Sequence, residues 1–397
     1  MRVAMVAYAF FEGNARIQQY ASALVQRGDS VDIFALRQSG QPEYMNIKGV
    51  NFYGIQERVV NEVRQTTYLF RILRFLLHSA VVLTKQHHAE PYDIIHVHSV
   101  PDFLVFSALV PKLSGAAVVL DIHDILPEFY ASKFGSSRKS ILHRLLLLVE
   151  RSSAALADHV VVANHLWRER LANRSVRSDK CTAVCNYPDP NVFRPLPRTR
   201  ANGNFRIIYP GSLNSHQGLD IAIRAFGRIA GEIPDAEFYI YGEGPEKPNL
   251  IRLATELGLN GRVVFHKALP LERIAEEMAN SDLAVVPKRA SSLFGNEAAS
   301  TKILECMAVG VPVIVSQTKV DTYYHSEQTV KFFESGSDAA LADAILQLHR
   351  QPELRTSLVR NAARHAQANN WAAKQHIYLD LLDSLVCGKA GTLATAH

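Results

Sequence analysis

Glu297 and Glu305 stand eight positions apart, with Lys302 between them, in the run Phe-Gly-Asn-Glu-Ala-Ala-Ser-Thr-Lys-Ile-Leu-Glu-Cys-Met-Ala-Val-Gly-Val-Pro-Val-Ile-Val-Ser of residues 294–316. Carboxylates are rarely buried unless something pairs with them, and the hydroxyl groups of a sugar or a ribose are suitable partners. The plainer alternative is a surface helix with two solvated acids. A second group sits in the loop Gly211-Ser-Leu-Asn-Ser-His-Gln-Gly218. A glycine-bearing loop entering a helix offers backbone N–H groups to phosphate, which makes Gly211, Ser212, Gln217 and Gly218 candidates. His123-Asp124 follows an apolar strand, and the carboxyl end of a strand is where open α/β sheets bind ligands. The loop Phe11-Glu-Gly-Asn-Ala-Arg16 holds the same kind of position and contributes Gly13, Asn14 and Arg16. His96 and His98 alternate with apolar residues and so share a face. No third ligand is visible near them, so a packing role is expected and no metal site is assigned.

The elements that must position these groups follow from spacing. Residues 300–309 hold no Gly or Pro, and Ile303, Leu304 and Met307 mark one apolar side of a short helix. Gly310 sits where a left-handed helix-ending glycine belongs, and Val311-Pro-Val-Ile-Val reads as a buried parallel strand. Upstream, residues 3–8 read as a first strand, Ile17, Tyr20, Ala21 and Leu24 as a helix closed by Gly28, and residues 31–36 as a second strand. Strands at 92–98, 117–121, 159–163 and 182–186 continue the alternation, which implies a parallel, doubly wound sheet. A Pro-rich, polar stretch from Asn186 to Gly203 reads as a linker. A second alternating series then starts at Phe205, with helix positions Leu219, Ala222, Ile223, Phe226 and Ile229 after the glycine loop. Residues 288–296 read as a polar loop, and Gly388 onward as a small, polar tail.

Composition narrows the class. At 397 residues the chain is long enough for two domains, and 48% hydrophobic against 20% charged residues supplies large cores. A net charge of +5 suits an anionic partner, a sugar nucleotide or an anionic membrane surface, without arginine blocks that would point to nucleic acid. The four cysteines form no zinc pattern and read as small buried apolar residues or free thiols, consistent with a reducing cytoplasm. No apolar run approaches the roughly 20 residues needed to cross a bilayer. Residues 63–85 mix Arg64, Arg71, Arg74 and Lys85 with Phe70, Leu73, Phe75, Leu76 and Leu77. Such a helix either lies on an anionic membrane or packs with snorkelling arginines. Residues 137–156, with Arg138, Lys139, Arg144 and Arg151, form a second helix of that kind.

The glutamates with Met-Ala-x-Gly-x-Pro-Val resemble the donor-site signature of the retaining glycosyltransferase family four, whose fold is GT-B: two Rossmann-like, doubly wound domains facing a cleft. The resemblance spans almost the whole chain, with its specific motifs between Gly211 and Val315. It implies that Glu297 contacts the donor sugar, that Glu305 contacts the ribose, and that His123 lies close to the donor sugar. It also implies that Ser300 and Thr301, in a Ser-Lys variant of the motif, join the donor site, and that the backbone after the strand at 262–266, at Lys267 and Leu269, holds the base. Relatives carry a pair of glycines in the first loop near donor phosphate and acceptor, where here Gly13 remains. Most also carry an arginine and a lysine in the phosphate loop, where this chain has Ser212 and Gln217. A pyrophosphate leaving group needs cationic or donor stabilisation; Lys302, Lys288 and Arg289 are the substitutes, with Lys302 favoured.

These expectations make the chain a metal-independent hexosyltransferase without a cofactor. It would use a UDP- or GDP-sugar and a saccharide or lipid-linked acceptor, in the cytoplasm or peripheral on the inner face of the plasma membrane. The expected divisions are residues 1–190 for the acceptor domain, 191–203 for the linker, 204–369 for the nucleotide-sugar domain, and 370–397 for a C-terminal helix crossing back, plus the tail. Two rivals stay open: a GT-B sugar-nucleotide epimerase, and a non-catalytic subunit of the same fold. Oligomeric state, sugar and base are not legible.

Overall fold

The computed structural model describes residues 1–58, 65–134, 140–200 and 203–394. It divides into two compact units, Met1–Asn186 with Gln375–His397, and Tyr187–Lys374. Among the described residues the first unit holds eight strands: β1 (Arg2–Phe10), β2 (Ser30–Arg37), β3 (Tyr44–Ile47), β4 (Val50–Glu57), β5 (Ile94–His98), β6 (Ala117–Ile122), β7 (His159–Val162) and β8 (Cys181–Ala183), in the order β3-β4-β2-β1-β5-β6-β7-β8. All neighbours pair in parallel except β3 with β4. The second unit holds six parallel strands: β9 (Arg206–Pro210), β10 (Glu237–Tyr241), β11 (Val263–His266), β12 (Leu283–Val286), β13 (Val313–Ser316) and β14 (Lys331–Phe333), in the order β11-β10-β9-β12-β13-β14.

Parallel strands buried on both faces are mostly apolar, and every residue of β5, β6, β7, β12 and β13 is buried, His96, His98, Asp121, His159 and Ser316 being the polar exceptions. Two core layers sandwich the second sheet. One is formed by the helix Leu219–Ile229, which buries Leu219, Ala222, Ile223, Phe226 and Ile229. The other is centred on Ile303, Cys306 and Met307 of the helix Thr301–Val309.

In each sheet the chain first builds outward on one side, then returns to build on the other. The reversal falls between β1 and β5 in the first sheet and between β9 and β12 in the second. At such a switch point the flanking loops diverge and leave a crevice at the carboxyl ends of the strands. The candidate loops begin there: after β1, β5 and β6 in one unit, and after β9 and β12 in the other.

Local signals set the element ends. Asn14 caps the helix Ala15–Arg27 by accepting from Ile17 N, and Gly28 ends it in the left-handed region. Gly310 ends the helix Thr301–Val309 in the same way, with φ 95°. Three expectations shift. The helix Trp371–Ala394 runs past Gly388, where a tail was expected, and from Gln375 on it belongs to the first unit. The polar loop before the glutamates is a short helix, Leu293–Glu297, at its end. The basic helices run Gln65–Ala89 and Ile141–Leu156, while Arg64, Arg138 and Lys139 lie outside the described residues. Among the described residues, no helix is long and apolar enough to cross a membrane.

Candidate active site

In the second unit, three loops at the carboxyl ends of the strands are sewn together by backbone. Gly211 N donates to Tyr241 O at 2.8 Å and Leu213 N to Glu243 O at 2.9 Å, so the Gly242-Glu-Gly-Pro turn supports the glycine loop from beside it. Arg289 N donates to His216 O at 3.0 Å on the other side. Gly218 has φ +69°, and a Cβ there would lie 2.0 Å from Pro287 O, so only glycine lets the loop after β9 touch the end of β12. Gln217 is spent on the loop itself: its Oε1 accepts from the Tyr209 hydroxyl at 3.2 Å, and its Nε2 meets His216 Nε2 at 3.1 Å. Ser212 is exposed, and its carbonyl accepts from Tyr209 at 2.9 Å.

Of the three cations expected to replace the phosphate-loop arginine and lysine, two are engaged elsewhere. Lys288 is 2% exposed, pairs with Asp321 at 2.8 Å and donates to Ala298 O at 2.7 Å. That buried pair anchors the turn after Glu297. Arg289 pairs with Asp220 and donates to Ser215 O at 3.2 Å. Both therefore hold the loops rather than wait for a ligand.

Lys302 differs. Its aliphatic stem lies against Gly211, where a Cβ would come within 1.9 Å of Lys302 Cε. Its Nζ sits 5.5 Å from the centre of the Tyr209 ring and makes no hydrogen bond or ion pair among the described residues. Burial pushes its pKa down to about 8, against the pull of Glu305. Burial likewise raises the Glu305 carboxyl, against Lys302 and the Thr301 hydroxyl. Each charge is half removed from water without a full partner, which is the electrostatic state of a site built to receive one.

Glu297 is 4% exposed at the end of its helix, with Oε1 3.4 Å from Lys319 Nζ, and Ser292 caps that helix through Gly295 N. Ser300 precedes the helix Thr301–Val309 without capping it, and its Oγ is buried and unpartnered. Lys267 and Leu269 lie in the exposed loop after β11. That loop is tied to the β10 turn by Gly242 N donating to His266 O at 3.2 Å and by His266 stacked on Tyr241 at 4.6 Å. The second unit thus brings Gly211, Ser212, Gln217, Gly218 and Lys302 together.

In the first unit the centre is a residue that belongs to none of the motifs above. Asp121, on β6, is fully buried; Arg16 clamps both its oxygens at 2.8 Å, with a third nitrogen on Val184 O and Asn186 Oδ1. Burial alone would raise the Asp121 pKa, but Arg16 and His123 outweigh it and hold the carboxyl well below its usual range. A carboxylate only accepts, so His123 Nε2, 3.0 Å away, donates to it. His123 is partly exposed; His98 Nδ1 lies 3.3 Å from both Asp121 Oδ2 and His123 Nε2. Burial drives His98 down to about 4 and holds His96 well below its ordinary value, so both are neutral.

Arg16, expected on the acceptor side, is 7% exposed and committed to Asp121. Asn14 is spent capping its helix, and Gly13 is exposed with ample room for a Cβ. Glu128, five residues after His123, forms a buried cluster with Arg174 and Glu150. A third ligand for the His96–His98 pair does exist in space: Asp121 Oδ2 lies 3.9 Å from His96 Nε2. The Arg16 guanidinium on that carboxylate opposes a second cation there. One sequence signal could have found this centre, since an aspartate inside the apolar run Ala-Val-Val-Leu-Asp-Ile demands a buried partner.

Two family models match the chain: "Glycosyl transferase 4-like domain" over residues 13–187 and "Glycosyl transferases group 1" over residues 197–365. A D-inositol 3-phosphate glycosyltransferase of Acidothermus cellulolyticus is 25% identical over 90% of this chain and 82% of its own. Among solved structures, sucrose-phosphate synthase from Thermosynechococcus elongatus superposes with TM-score 0.80 at 19% identity, covering 98% of this chain and 100% of that one. HepE of Anabaena, solved with UDP and glucose, gives 0.73 at 16% identity, covering 97% and 100%.

Proposed function

The chain belongs to glycosyltransferase family four, with the GT-B fold, and from that premise we propose that it is a retaining, metal-independent hexosyltransferase. It would transfer a sugar from a UDP- or GDP-sugar to a lipid-linked glycan in bacterial surface polysaccharide synthesis, working as a peripheral protein on the cytoplasmic side of the membrane. The observation that carries the donor half is Lys302, a cation held against Gly211 with no anion bonded to it among the described residues. The relatives' names agree in kind: HepE was solved with UDP-glucose, and WaaG acts in lipopolysaccharide biosynthesis.

In this reading the diphosphate lies on the loop Gly211–Gly218, where backbone N–H groups and Lys302 stabilise the charge that develops as the sugar–phosphate bond breaks. Glu305 accepts from the ribose hydroxyls and Glu297 from the sugar. His123 hydrogen-bonds a sugar hydroxyl through Nδ1. The acceptor hydroxyl attacks on the face the diphosphate leaves, and its proton passes to the departing phosphate oxygen. This route needs no enzyme nucleophile, and it conserves the anomeric configuration.

The test is a panel of sugar nucleotides, with and without a lipid-linked acceptor, in the presence of a chelator. Nucleoside diphosphate should be released together with a product of unchanged anomeric configuration. Sugar isomerisation without release would identify the epimerase. Tight donor binding with neither would identify a binding subunit. Activity lost to chelator and restored by magnesium or manganese would overturn the metal-independent chemistry.

A further inference from the structure

The helix Gln65–Ala89 is apolar on two opposite sides. Ile72, Phe75, Ser79 and Leu83 are buried, while Leu69, Phe70, Leu73, Leu77 and Val81 form a stripe exposed by 43% to 68%. A helix that is apolar all round normally belongs in an interior. The same pattern recurs on its neighbours. Phe106, Leu109, Val110 and Leu113, at i, i+3, i+4 and i+7, are exposed on residues 102–113, which pack beside that helix. Ile141, Leu142, Leu145 and Leu148 are exposed on the helix Ile141–Leu156, which packs beside residues 102–113 in turn. These segments are the crossovers from β4 to β5, β5 to β6 and β6 to β7, which all step the same way along the sheet. Right-handed crossovers that step one way lie on one face. The three exposed stripes therefore lie on adjoining segments of one face, unlike leucines scattered singly over an ordinary surface.

The charge around this layer selects its partner. Residues 65–89, 103–115 and 141–149 contain no Asp or Glu, but carry Arg71, Arg74, Lys85, Lys112 and Arg144. Arg74, Lys85 and Arg144 are exposed and in no ion pair among the described residues. A second copy of this face would bring like charges together, whereas an anionic lipid surface accepts both the cations and the apolar side chains. We propose that this face of the first unit seats the protein on an anionic bilayer, with the three stripes inserted among the lipid chains and the basic residues at headgroup level. The proposal deepens the lipid-linked acceptor reading. It also differs from purely electrostatic docking, because the inserted side chains are not screened by salt.

Flotation with acceptor-free vesicles tests the surface by itself, using phosphatidylglycerol–phosphatidylcholine mixtures against phosphatidylcholine alone. The protein should float with the anionic vesicles, weaken at 0.5 M salt, and still stay above the neutral-vesicle level. Leu77→Glu, Leu113→Glu and Ile141→Glu combined, one substitution per stripe at positions already 68%, 80% and 78% exposed, should lower vesicle affinity ten-fold or more and leave the melting temperature unchanged. Ile251→Glu, an exposed position of the second unit, should do neither. Undiminished binding by the triple variant would overturn the proposal, as would equal binding to neutral vesicles. So would a concentration-dependent oligomer that the triple variant abolishes, without vesicle binding. Donor turnover on a detergent-soluble acceptor is measured separately, so loss of the transferase reading and loss of the surface are told apart.

Discussion

The two polar centres differ in how completely the protein satisfies its own charges. In the first unit Asp121 is clamped by Arg16 on both oxygens and touched by His98 and His123, so the charge is neutralised before any ligand arrives. In the second unit Lys302 and Glu305 are shifted toward their neutral forms by burial, and Lys302 has no bonded anion among the described residues. A satisfied network gives rigidity and a fixed ring orientation at its rim. An unsatisfied pair gives affinity, because a ligand supplies what the fold withholds. The first centre therefore reads as a mount for His123, and the second as the place where ligand charge is met.

Stability breaks this comparison most sharply. Arg16→Met leaves the buried Asp121 carboxylate alone, and removing one partner of a buried pair costs about 3–5 kcal/mol. Lys302→Met removes a partly buried cation that the protein itself does not pair, so the folded state should lose under about 1 kcal/mol or gain. Urea unfolding of both variants is the measurement. Comparable losses would show that Lys302 is as structural as Arg16.

The contrast also explains what could be read from the chain beforehand. The donor-side helix, its closing Gly310 and the following strand were legible because spacing, glycine and proline lie within a dozen residues of one another. The glycine loop was legible for the same reason. Asp121 and Arg16 are 105 residues apart, and nothing local says that they meet. The engagement of Lys288 with Asp321 and of Arg289 with Asp220 was hidden likewise, so these two stood beside the favoured Lys302 as candidates although the structure commits them elsewhere. The helix past Gly388 was missed because a polar, glycine-containing end reads as coil.

A middle-sized effect separates the two glutamates. Glu305→Ala should weaken nucleoside diphosphate and sugar nucleotide alike, because both carry the ribose; a charged hydrogen bond contributes roughly 1.5–3 kcal/mol. Glu297→Ala should leave diphosphate affinity nearly unchanged and abolish turnover, because an unoriented ring does not react. Calorimetric titration of both variants with both ligands decides. Equal loss of diphosphate binding would contradict the division of roles.

The smallest effect is the most specific, because it reads the unsatisfied charge itself. Lys302 has a pKa of about 8 in the free protein. A phosphate beside it favours the ammonium, so its pKa in the complex is higher. Below about pH 8 the lysine is charged in both states, and diphosphate affinity should be level with respect to it. Above that pH the free protein has lost the proton that the complex retains, so binding must take one up. Affinity should then fall by at most about tenfold per pH unit until the pKa of the complex is reached. The window of pH 7.5–9.5 lies above the phosphate titration, and His216, pushed down to about 4 by burial, does not titrate in it. Titrations in two buffers of different ionisation enthalpy should show proton uptake in that window, and Lys302→Met should remove both the uptake and the slope. A wild-type profile that is already flat would mean that the diphosphate does not sit on Lys302, and the distinction between a satisfied centre and a waiting one would fail at the residue that defines it.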